Sequence, residues 1–195
     1  MKRVLFLFIA AMLFSTATAL AKGGTTVPLT WKLENGTLTI SGRGAMPDYQ
    51  PQQSPWNEYR ESIYTIVIEN EVTRVGNCAF QYCTNLPSIT LPCNLTSIGI
   101  YAFYNCNSLT SITNLNSMPI KIDNTIFADI DQSACTLKVP MASVSAYKND
   151  PVWKEFNIVG IEVSIENIEP ITIKIYPNPT TGQLRIENGE LVRRV

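Results

Sequence analysis

The stretch "VGNCAFQYCTNLPSITLP", Val75 to Pro92, decides the fold, because "IGIYAFYNCNSLTSIT", Ile98 to Thr113, repeats its pattern further along the chain. Glycine, Ala-Phe, cysteine and aliphatic positions of the two copies correspond at a constant spacing of 23 residues. The matched pairs are Gly76 with Gly99, Ala79 with Ala102, Phe80 with Phe103, Cys83 with Cys106, Leu86 with Leu109, and Ile89 with Ile112. A fixed period of this length indicates a repeat architecture.

Each copy also contains the pattern L-x-x-L-x-L. It is written Ile63-x-x-Ile66-x-Ile68 in one copy and Leu86-x-x-Ile89-x-Leu91 23 residues later. This pattern is typical of leucine-rich repeats, and its alternating part predicts a short strand with one face inward. One repeat cannot bury its apolar side alone, so neighbouring repeats must stack. The sequence therefore predicts a mostly β fold, a short solenoid of about 23-residue repeats.

The repeated phenylalanines indicate a ladder inside this solenoid. Phe80 and Phe103 are expected to stack as core on its convex side, with the small Ala79 and Ala102 letting the turns close over them. An aromatic platform for a ligand is the alternative, and the apolar residues around the two rings disfavour it.

Both ends of the solenoid carry sequences that predict lids. "WKLENGTLTISGRG", from Trp31, predicts an N-terminal β-hairpin cap that turns at Asn35-Gly36, and Trp56 and Tyr59 are expected to close the first repeat. At the other end the register drifts. Phe127 lies 24 residues after Phe103 and Leu137-Lys138-Val139-Pro140 restores the strand pattern, which indicates a degenerate further repeat. The segment 141–161 is expected to cap the last repeat through its larger apolar residues, Val144, Tyr147, Trp153 and Phe156.

The first residues predict export. Lys2 and Arg3 precede an apolar run from Val4 to Phe14, and Ala19-Leu20-Ala21 forms an A-x-A site, so a signal peptide is expected to be cut before Lys22. An uncleaved membrane anchor is the alternative; after cleavage no stable membrane insertion is expected. Of 15 basic and 16 acidic residues, cleavage leaves 13 and 16, a net charge of −3, which argues against a nucleic-acid partner.

The absence of histidine from the whole chain excludes the catalysis and the zinc sites that depend on imidazole. Glu58 and Glu61, near Trp56 and Tyr59, are the best carboxylate pair for a carbohydrate-active enzyme, and a solvated loop edge is the alternative. No catalytic residue, cofactor or metal is predicted, and the chain is interpreted as non-enzymatic.

The five cysteines would meet an oxidising compartment after export, and their odd number leaves at least one unpaired. Cys83 and Cys106 occupy the same repeat position, so stacking brings them within disulfide range. Two small buried hydrophobic residues in a ladder are the preferred interpretation of this pair. The cysteines are Cys78, Cys83, Cys93, Cys106 and Cys135.

Side chains at the x positions of the strands are expected to face outward and to form a strip of hydroxyls with few charges. This face suits hydrogen bonding to a protein or a glycan, and it suits plain solvation equally. The predicted binding residues are Thr65, Val67, Ser88, Thr90, Ser111, Thr113, Thr136 and Lys138.

Several motifs occur in order and resemble those of the BspA-type leucine-rich repeat proteins of bacterial surfaces. They are W-x-L-x-x-G-T-L-T-I-S-G-x-G-A-M-P from Trp31, S-P-W from Ser54, the I-G-x-x-A-F-x-x-C-x-x-L-x-x-I repeats, and V-P-x-x-S-V-x-A-Y from Val139. The resemblance covers residues 26–161 and implies a secreted or surface-attached protein. Some members of that family are adhesins that bind host proteins or other bacteria.

The C-terminal sequence changes character and predicts a separate, partial β-sandwich. Its apolar residues alternate around two breaks; these are Ile171, Ile173 and Ile175, then Leu184 and Ile186, with breaks at Pro177-Asn178-Pro179 and Asn188-Gly189. The element Tyr176, Pro177, Asn178, Pro179 and Gly182 resembles the start of the C-terminal sorting domain of type IX secretion, which implies the export machinery as a partner. Because the given sequence ends at Val195, within the third expected strand, that domain is expected to be incomplete.

The sequence thus predicts four segments: a signal peptide at 1–21, an N-terminal β cap at 22–62, the leucine-rich repeat solenoid with its C-terminal cap at 63–161, and an incomplete sorting domain at 162–195. The expected location is the cell surface or the extracellular space if the sorting domain is complete, and the periplasm if it is truncated. The expected function is adhesin-like binding, with an inert structural surface protein and a carbohydrate-active enzyme as alternatives.

Overall fold

The computed structural model describes residues 21–162 and, nearer the C-terminus, the backbones of three strands. The predicted signal peptide lies outside the described residues except for Ala21. The chain divides into two compact units between Ile161 and Glu162.

The first unit is built around one eight-stranded sheet with the order β1-β2-β3-β5-β7-β9-β10-β11. The strands of this sheet are β1 (Lys22–Thr26), β2 (Leu29–Glu34), β3 (Thr37–Gly42), β5 (Thr65–Ile68), β7 (Ser88–Leu91), β9 (Ser111–Asn114), β10 (Thr136–Pro140) and β11 (Asn157–Ile161). β1, β2 and β3 pair antiparallel, and every later pair is parallel. Parallel neighbours connected by whole turns of chain are the geometry of a solenoid, so the repeat prediction is confirmed.

The N-terminal hairpin has the predicted turn. Asn35 and Gly36 connect β2 to β3 with φ values of +50° and +75°, a left-handed conformation that asparagine and glycine adopt most easily. Trp31 faces Ile40 across the pair, and both side chains are buried. β1 adds a further strand to this hairpin that the sequence patterns did not indicate.

A second, three-stranded parallel sheet has the order β4-β6-β8. Its strands are β4 (Gly44–Ala45), β6 (Val72–Val75) and β8 (Ser97–Ile98). The first three turns of the solenoid, which we call rungs, therefore contribute one strand to each sheet. The residues behind this sheet repeat at the same spacing of 23, Val72 with Leu95 and Val75 with Ile98, and all four are buried.

Aromatic rings form a continuous ladder through the core. Phe80 stacks on Phe103 with ring centroids 5.4 Å apart, and Phe103 stacks on Phe127 at 5.5 Å. Trp56 extends the stack at one end, 5.6 Å from Phe80, and at the other end Trp153 packs against Phe127 at 5.7 Å with its ring tilted by 59°. All five rings are fully or almost fully buried, so the core interpretation of the two phenylalanines is confirmed.

The two tryptophans that end this ladder also tie the caps to the rungs. Trp56 precedes a 3-10 helix at Asn57–Ser62, and its indole N–H donates to the carbonyl oxygen of Ala79 at 2.7 Å. Trp153 begins another 3-10 helix at Trp153–Glu155, and its indole N–H donates to Ile120 O at 2.8 Å. Both buried donors are thereby satisfied, as buried indoles require.

The C-terminal cap combines a 3-10 turn at Met141–Ser143 with one short helix, α1 (Val144–Asn149). Tyr147, in α1, and Phe156, after the last 3-10 turn, are buried as predicted, whereas Val144 is only partly buried. One feature differs from the expectation that the whole segment is a lid. Its last five residues form β11, which extends the sheet by pairing with β10 along its full length.

The second unit contains a three-stranded antiparallel sheet with the order β12-β13-β14. Its strands are β12 (Lys174–Pro177), β13 (Leu184–Asn188) and β14 (Leu191–Arg194). Of the predicted sorting element, Tyr176 and Pro177 lie in β12, while Asn178, Pro179 and Gly182 lie outside the described residues. Ile175 is opposite Ile186, and the first two isoleucines of the predicted alternation also lie outside them.

Candidate functional site: the outer face of the large sheet

The outer face of the large sheet presents two parallel rows of side chains. Strand alternation buries Ile66, Ile89, Ile112 and Leu137, and their neighbours in sequence point away from the core. All eight residues predicted for the binding face lie in these rows. Thr65, Val67, Ser88, Thr90 and Lys138 are exposed, and Ser111, Thr113 and Thr136 are partly exposed.

Strand register makes both rows longer than the repeats alone indicate. Thr37 lies beside Thr65 and Thr39 beside Val67, so the N-terminal cap joins the same face. At the other end, Asn157 and Val159 continue the rows beside Thr136 and Lys138. The alternation of threonines in "TLTIS" was the signal that could have placed Thr37 and Thr39 here. We call the outer face of seven strands of the large sheet, β2, β3, β5, β7, β9, β10 and β11, the open face.

Charge is confined to the ends of the open face. Lys32 and Glu34 of β2 form an exposed ion pair of 2.6 Å at one end, and Lys138 lies near the other. Between them the rows consist of hydroxyl groups and Val67. An uncharged hydrogen-bonding surface fits a neutral polar ligand better than an ionic one.

One strand pair in the middle of the open face is poorly formed. β7 matches β9 over four residue pairs and β3 matches β5 over four, but β5 and β7 are paired only at Ile66 and Ile89. In a parallel strand, alternate residues point both N–H and C=O to the same neighbour. Glu69 N–H donates to β3 at Ile40 O, so the backbone groups of Ile68 face β7.

Pro92 gives a physical reason for this gap. Leu115 and Glu69, at the equivalent position in other rungs, donate their N–H to the preceding strand at 3.1 Å in both cases. Proline has no N–H, so Pro92 cannot donate in this way to the C=O of Ile68. The N–H of Ile68 also lacks a ladder partner, because pairing with β7 ends at Ile66.

A surface depression of about 230 Å³ lies where these two strands separate. Its lining is mostly apolar and carries no charged residue. We call this depression the wedge, and its lining consists of Thr65, Ile66, Val67, Ile68, Asn70, Ser88, Ile89, Thr90, Pro92 and Leu115. Sequence reasoning missed the wedge, although the proline directly after one strand was the available signal.

Polar side chains fasten neighbouring rungs at the turns. Asp48 accepts hydrogen bonds from the backbone N–H of Asn77 at 2.8 Å and from Arg74 at 2.7 Å. The first of these bonds, with help from the guanidinium of Arg74, lowers the pKa of the Asp48 carboxyl. In the next rung Asn77 Oδ1 accepts from the N–H of Ile100 at 3.0 Å. These polar groups therefore hold neighbouring rungs together by hydrogen bonds within the protein.

A group of three tyrosines lies at the surface of the turns. Tyr104 packs edge-on against Tyr82 and Tyr101, with ring centroids 5.4 and 5.7 Å away. A hydrogen bond to the neighbouring Asp129 carboxylate is the main cause that raises the pKa of Tyr104. Tyr104 thus contacts both of the other rings, and none of the three belongs to the open face.

All five cysteines are free, and four of them are buried. Cys83 and Cys106 lie in the core without a disulfide, as the preferred interpretation expects, and Cys106 Sγ lies 3.2 Å from Phe80 O. Burial raises the pKa of the Cys83 thiol to about 12 and that of Cys135 to about 11. These thiols are therefore protonated at neutral pH, and Cys93 is the exposed one.

The candidate carboxylate pair lies at the surface. Glu58 and Glu61 belong to the 3-10 helix Asn57–Ser62 and are both exposed, and Glu61 lies 3.9 Å from Arg60. Among residues 21–162, no group of three or more Cys, Asp or Glu is arranged to hold a metal ion. No helix in the described part of the chain is long and apolar enough to span a membrane.

Residues 58–172, which include the repeated rungs from β5 onward and the C-terminal cap, match the model of one protein family, described as the BspA type leucine-rich repeat region. This is more than half of the chain. The chain belongs to the BspA-type leucine-rich repeat family.

A search among solved structures finds a leucine-rich repeat protein from Eubacterium ventriosum ATCC 27560, a crystal structure at 2.50 Å resolution. The two chains are 23% identical with a TM-score of 0.47, and the match covers 86% of this chain and 48% of the other. This BspA-type chain thus spans about half the length of that protein. Comparison with curated protein sequences gives no match.

Proposed function

We propose that this BspA-type protein is an exported, non-enzymatic binding protein that acts in an adhesin-like way at the cell surface. The observation that carries the proposal is the open face, where two solvent-facing rows of side chains, charged only towards their ends, run across the caps and the rungs. Membership of a family of surface repeat proteins is consistent with this role.

The size of the open face favours a glycan over a folded protein as the partner. Its seven strands, spaced by roughly 4.8 Å and about four residues long, span about 30 by 13 Å, or roughly 400 Å². A standard protein–protein interface buries about 800 Å² on each partner. A partner that touches only this face therefore has a small footprint, which an extended glycan or a short peptide segment provides.

Hydroxyl rows also fit a glycan chemically. Thr37, Thr65, Ser88 and Ser111 present one hydroxyl group on each of four neighbouring strands, each able to donate and to accept, and a sugar chain carries hydroxyl groups of the same kind. Hydrogen bonds between neutral hydroxyl groups distinguish ligands by the positions of their hydroxyls, and their strength depends little on salt concentration. We expect moderate affinity that changes little with ionic strength.

Export is the remaining part of the proposal. The basic and apolar N-terminal sequence with its A-x-A site supports a secretory signal, and the Tyr176 to Gly182 element supports recognition by type IX export machinery. A fusion of residues 162–195 to a periplasmic reporter tests whether this element is a sufficient signal. An incomplete sorting domain is expected to leave the reporter in the periplasm, and delivery to the cell surface would show that the element alone suffices.

Binding is tested with the mature protein on arrays of glycans and matrix proteins. The double variant Thr90→Glu with Thr113→Glu places two carboxylates in the middle of the open face and should weaken a genuine partner at least tenfold. The matched control, Asn107→Glu with Ser108→Glu, adds the same charge at an exposed turn. Binding by neither the parent protein nor the control would favour an inert structural protein, and equal binding by both double variants would exclude the open face as the site.

A further inference from the structure

The wedge contains backbone groups that the sheet does not use. Both the N–H and the C=O of Ile68 face β7, but the strand pairing ends two residues earlier. The C=O of Thr90 would be the ladder partner of the Ile68 N–H, and it lacks that bond for the same reason. One donor and two acceptors therefore lie together at a surface depression of apolar lining.

A secondary amide is the neutral group that satisfies such a set. Its C=O accepts from a backbone N–H and its own N–H donates to a backbone C=O, as a neighbouring strand would do. Because no charged residue lines the wedge, a carboxylate or an ammonium group would lose its hydration without a partner. The chemistry of the lining therefore selects an uncharged amide.

The size of the wedge limits what can carry this amide. Its volume of about 230 Å³ is below the roughly 300–1,000 Å³ of sites for drug-sized ligands. One sugar residue with an acetamido group matches this size, whereas a peptide strand would need an edge of several consecutive free groups. Such an edge is absent here because Ile66 and Ile89 remain paired.

We propose that the wedge is a subsite for one N-acetylated sugar residue within a glycan that lies on the open face. The acetamido group hydrogen-bonds to the backbone of Ile68 and Thr90, and its methyl group rests on Val67, Pro92 and Leu115. The hydroxyl of Ser88 is placed at the rim for the sugar ring. The inference rests on the proposed function, because it assigns a sugar class to the same face.

Amide resonances of the 15N-labelled full chain test this subsite. The probe is the trisaccharide of β-1,4-linked N-acetylglucosamine, and the matched control is cellotriose, which has hydroxyl groups in place of the acetamido groups. We expect saturable shifts of the Ile68 and Ser88 amides with the first sugar and at least tenfold weaker effects with the second. Equal responses to the two sugars, or no saturation at millimolar concentrations of the first, would overturn the proposal.

Two substitutions test whether the missing N–H of Pro92 creates the wedge. Pro92→Ala supplies the missing N–H to Ile68 and should close the wedge, so binding falls at least tenfold while thermal stability stays level or rises. Pro87→Ala is the matched control, since Pro87 faces β9, where its carbonyl accepts from Ser111 at 3.3 Å. Unchanged binding by Pro92→Ala, or an equal loss in Pro87→Ala, would contradict the assignment.

A second pair of variants tests the wedge with substitutions at exposed side chains, which should leave folding intact. Val67→Lys puts a charge into the wedge at a side chain that is 42% exposed, and Ile100→Lys puts the same charge at one that is 46% exposed in a turn away from the open face. Only the first should abolish the sugar response. If it does not, but the Thr90 and Thr113 double variant still loses array binding, the wedge assignment fails and the proposed function stands.

Discussion

The aromatic ladder gives the sharpest stability prediction, and Phe103→Ala is the change that tests it. Phe103 is fully buried and stacks at 5.4 Å on Phe80 and at 5.5 Å on Phe127, with the second pair of rings within 7° of parallel. Truncation removes both stacks and leaves a cavity in the middle of the solenoid.

The magnitude follows from how little the surroundings can relax. Burial of a phenylalanine is worth about 3–5 kcal/mol by truncation to alanine. The backbone on both sides of the ring is fixed, because Phe103 N–H donates to Ile126 O at 3.0 Å and Phe80 N–H to Ala102 O at 2.8 Å. The cavity therefore cannot collapse, and we expect a loss in the free energy of unfolding at the upper end, about 4–5 kcal/mol.

Urea denaturation followed by far-UV circular dichroism and tryptophan fluorescence measures this loss. Trp31 and Trp56 report on the N-terminal end of the first unit and Trp153 on its C-terminal end. If the two signals give the same transition, unfolding can be treated as two-state and the free energy of unfolding can be calculated. Tyr104→Ala is the control, since it removes an aromatic ring next to Phe103 that lies at the surface, and it should cost about 1 kcal/mol or less. A loss below about 1.5 kcal/mol for Phe103→Ala, with an unchanged m-value, would refute the argument that the rings support neighbouring rungs.

Three further predictions concern a close glycine contact, a buried indole hydrogen bond and the burial of the thiols. Gly99→Ala should lower the free energy of unfolding, measured by denaturant titration, by about 1–3 kcal/mol, because the added carbon would overlap the backbone of Asn77. Gly160→Ala should cost less, because its added carbon meets only side-chain atoms of Met141 and Val144, and equal losses would contradict this. Trp56→Phe leaves a buried carbonyl oxygen without its donor and should lower the free energy of unfolding by at least about 1–3 kcal/mol; a melting temperature within one degree of the parent would refute this. Native protein should react with a thiol reagent at pH 8 rapidly at Cys93 alone and at all five cysteines after unfolding; labelling of a second thiol at the same rate, mapped by mass spectrometry, would show that the core opens.

Buried thiols also give the stability a pH dependence. Burial raises the pKa of Cys83 from an ordinary 9.0 to about 12, so the folded state keeps a proton that the unfolded chain releases. This contribution is fully present below pH 9 and is lost as pH rises from 9 towards 12. Urea midpoints measured at pH 7, 9 and 10.5 should fall between the last two values more in the parent than in Cys83→Ala, and parallel decreases would contradict this.

The repeat spacing by itself determined the rungs, their inward residues and the phenylalanine ladder. A 23-residue period places equivalent residues in equivalent surroundings, so Ile66 and Ile89 must face the same core. The hairpin at Asn35-Gly36 followed equally from local chemistry, because few residues adopt its positive φ values. Local preference and periodicity therefore made these features predictable from the sequence.

Tertiary structure decided what differs between one rung and the next. The last five residues of the cap, "NIVGI", form a strand because they pair with the edge of β10, and no pattern within these five residues predicts this pairing. The wedge likewise arises between two rungs, because Pro92 leaves Ile68 without a donor only when a particular register sets them side by side. A sequence period describes what the repeats share, whereas backbone pairing depends on the actual neighbour of each strand. The candidate site on this face therefore became visible only once the strands were placed next to each other.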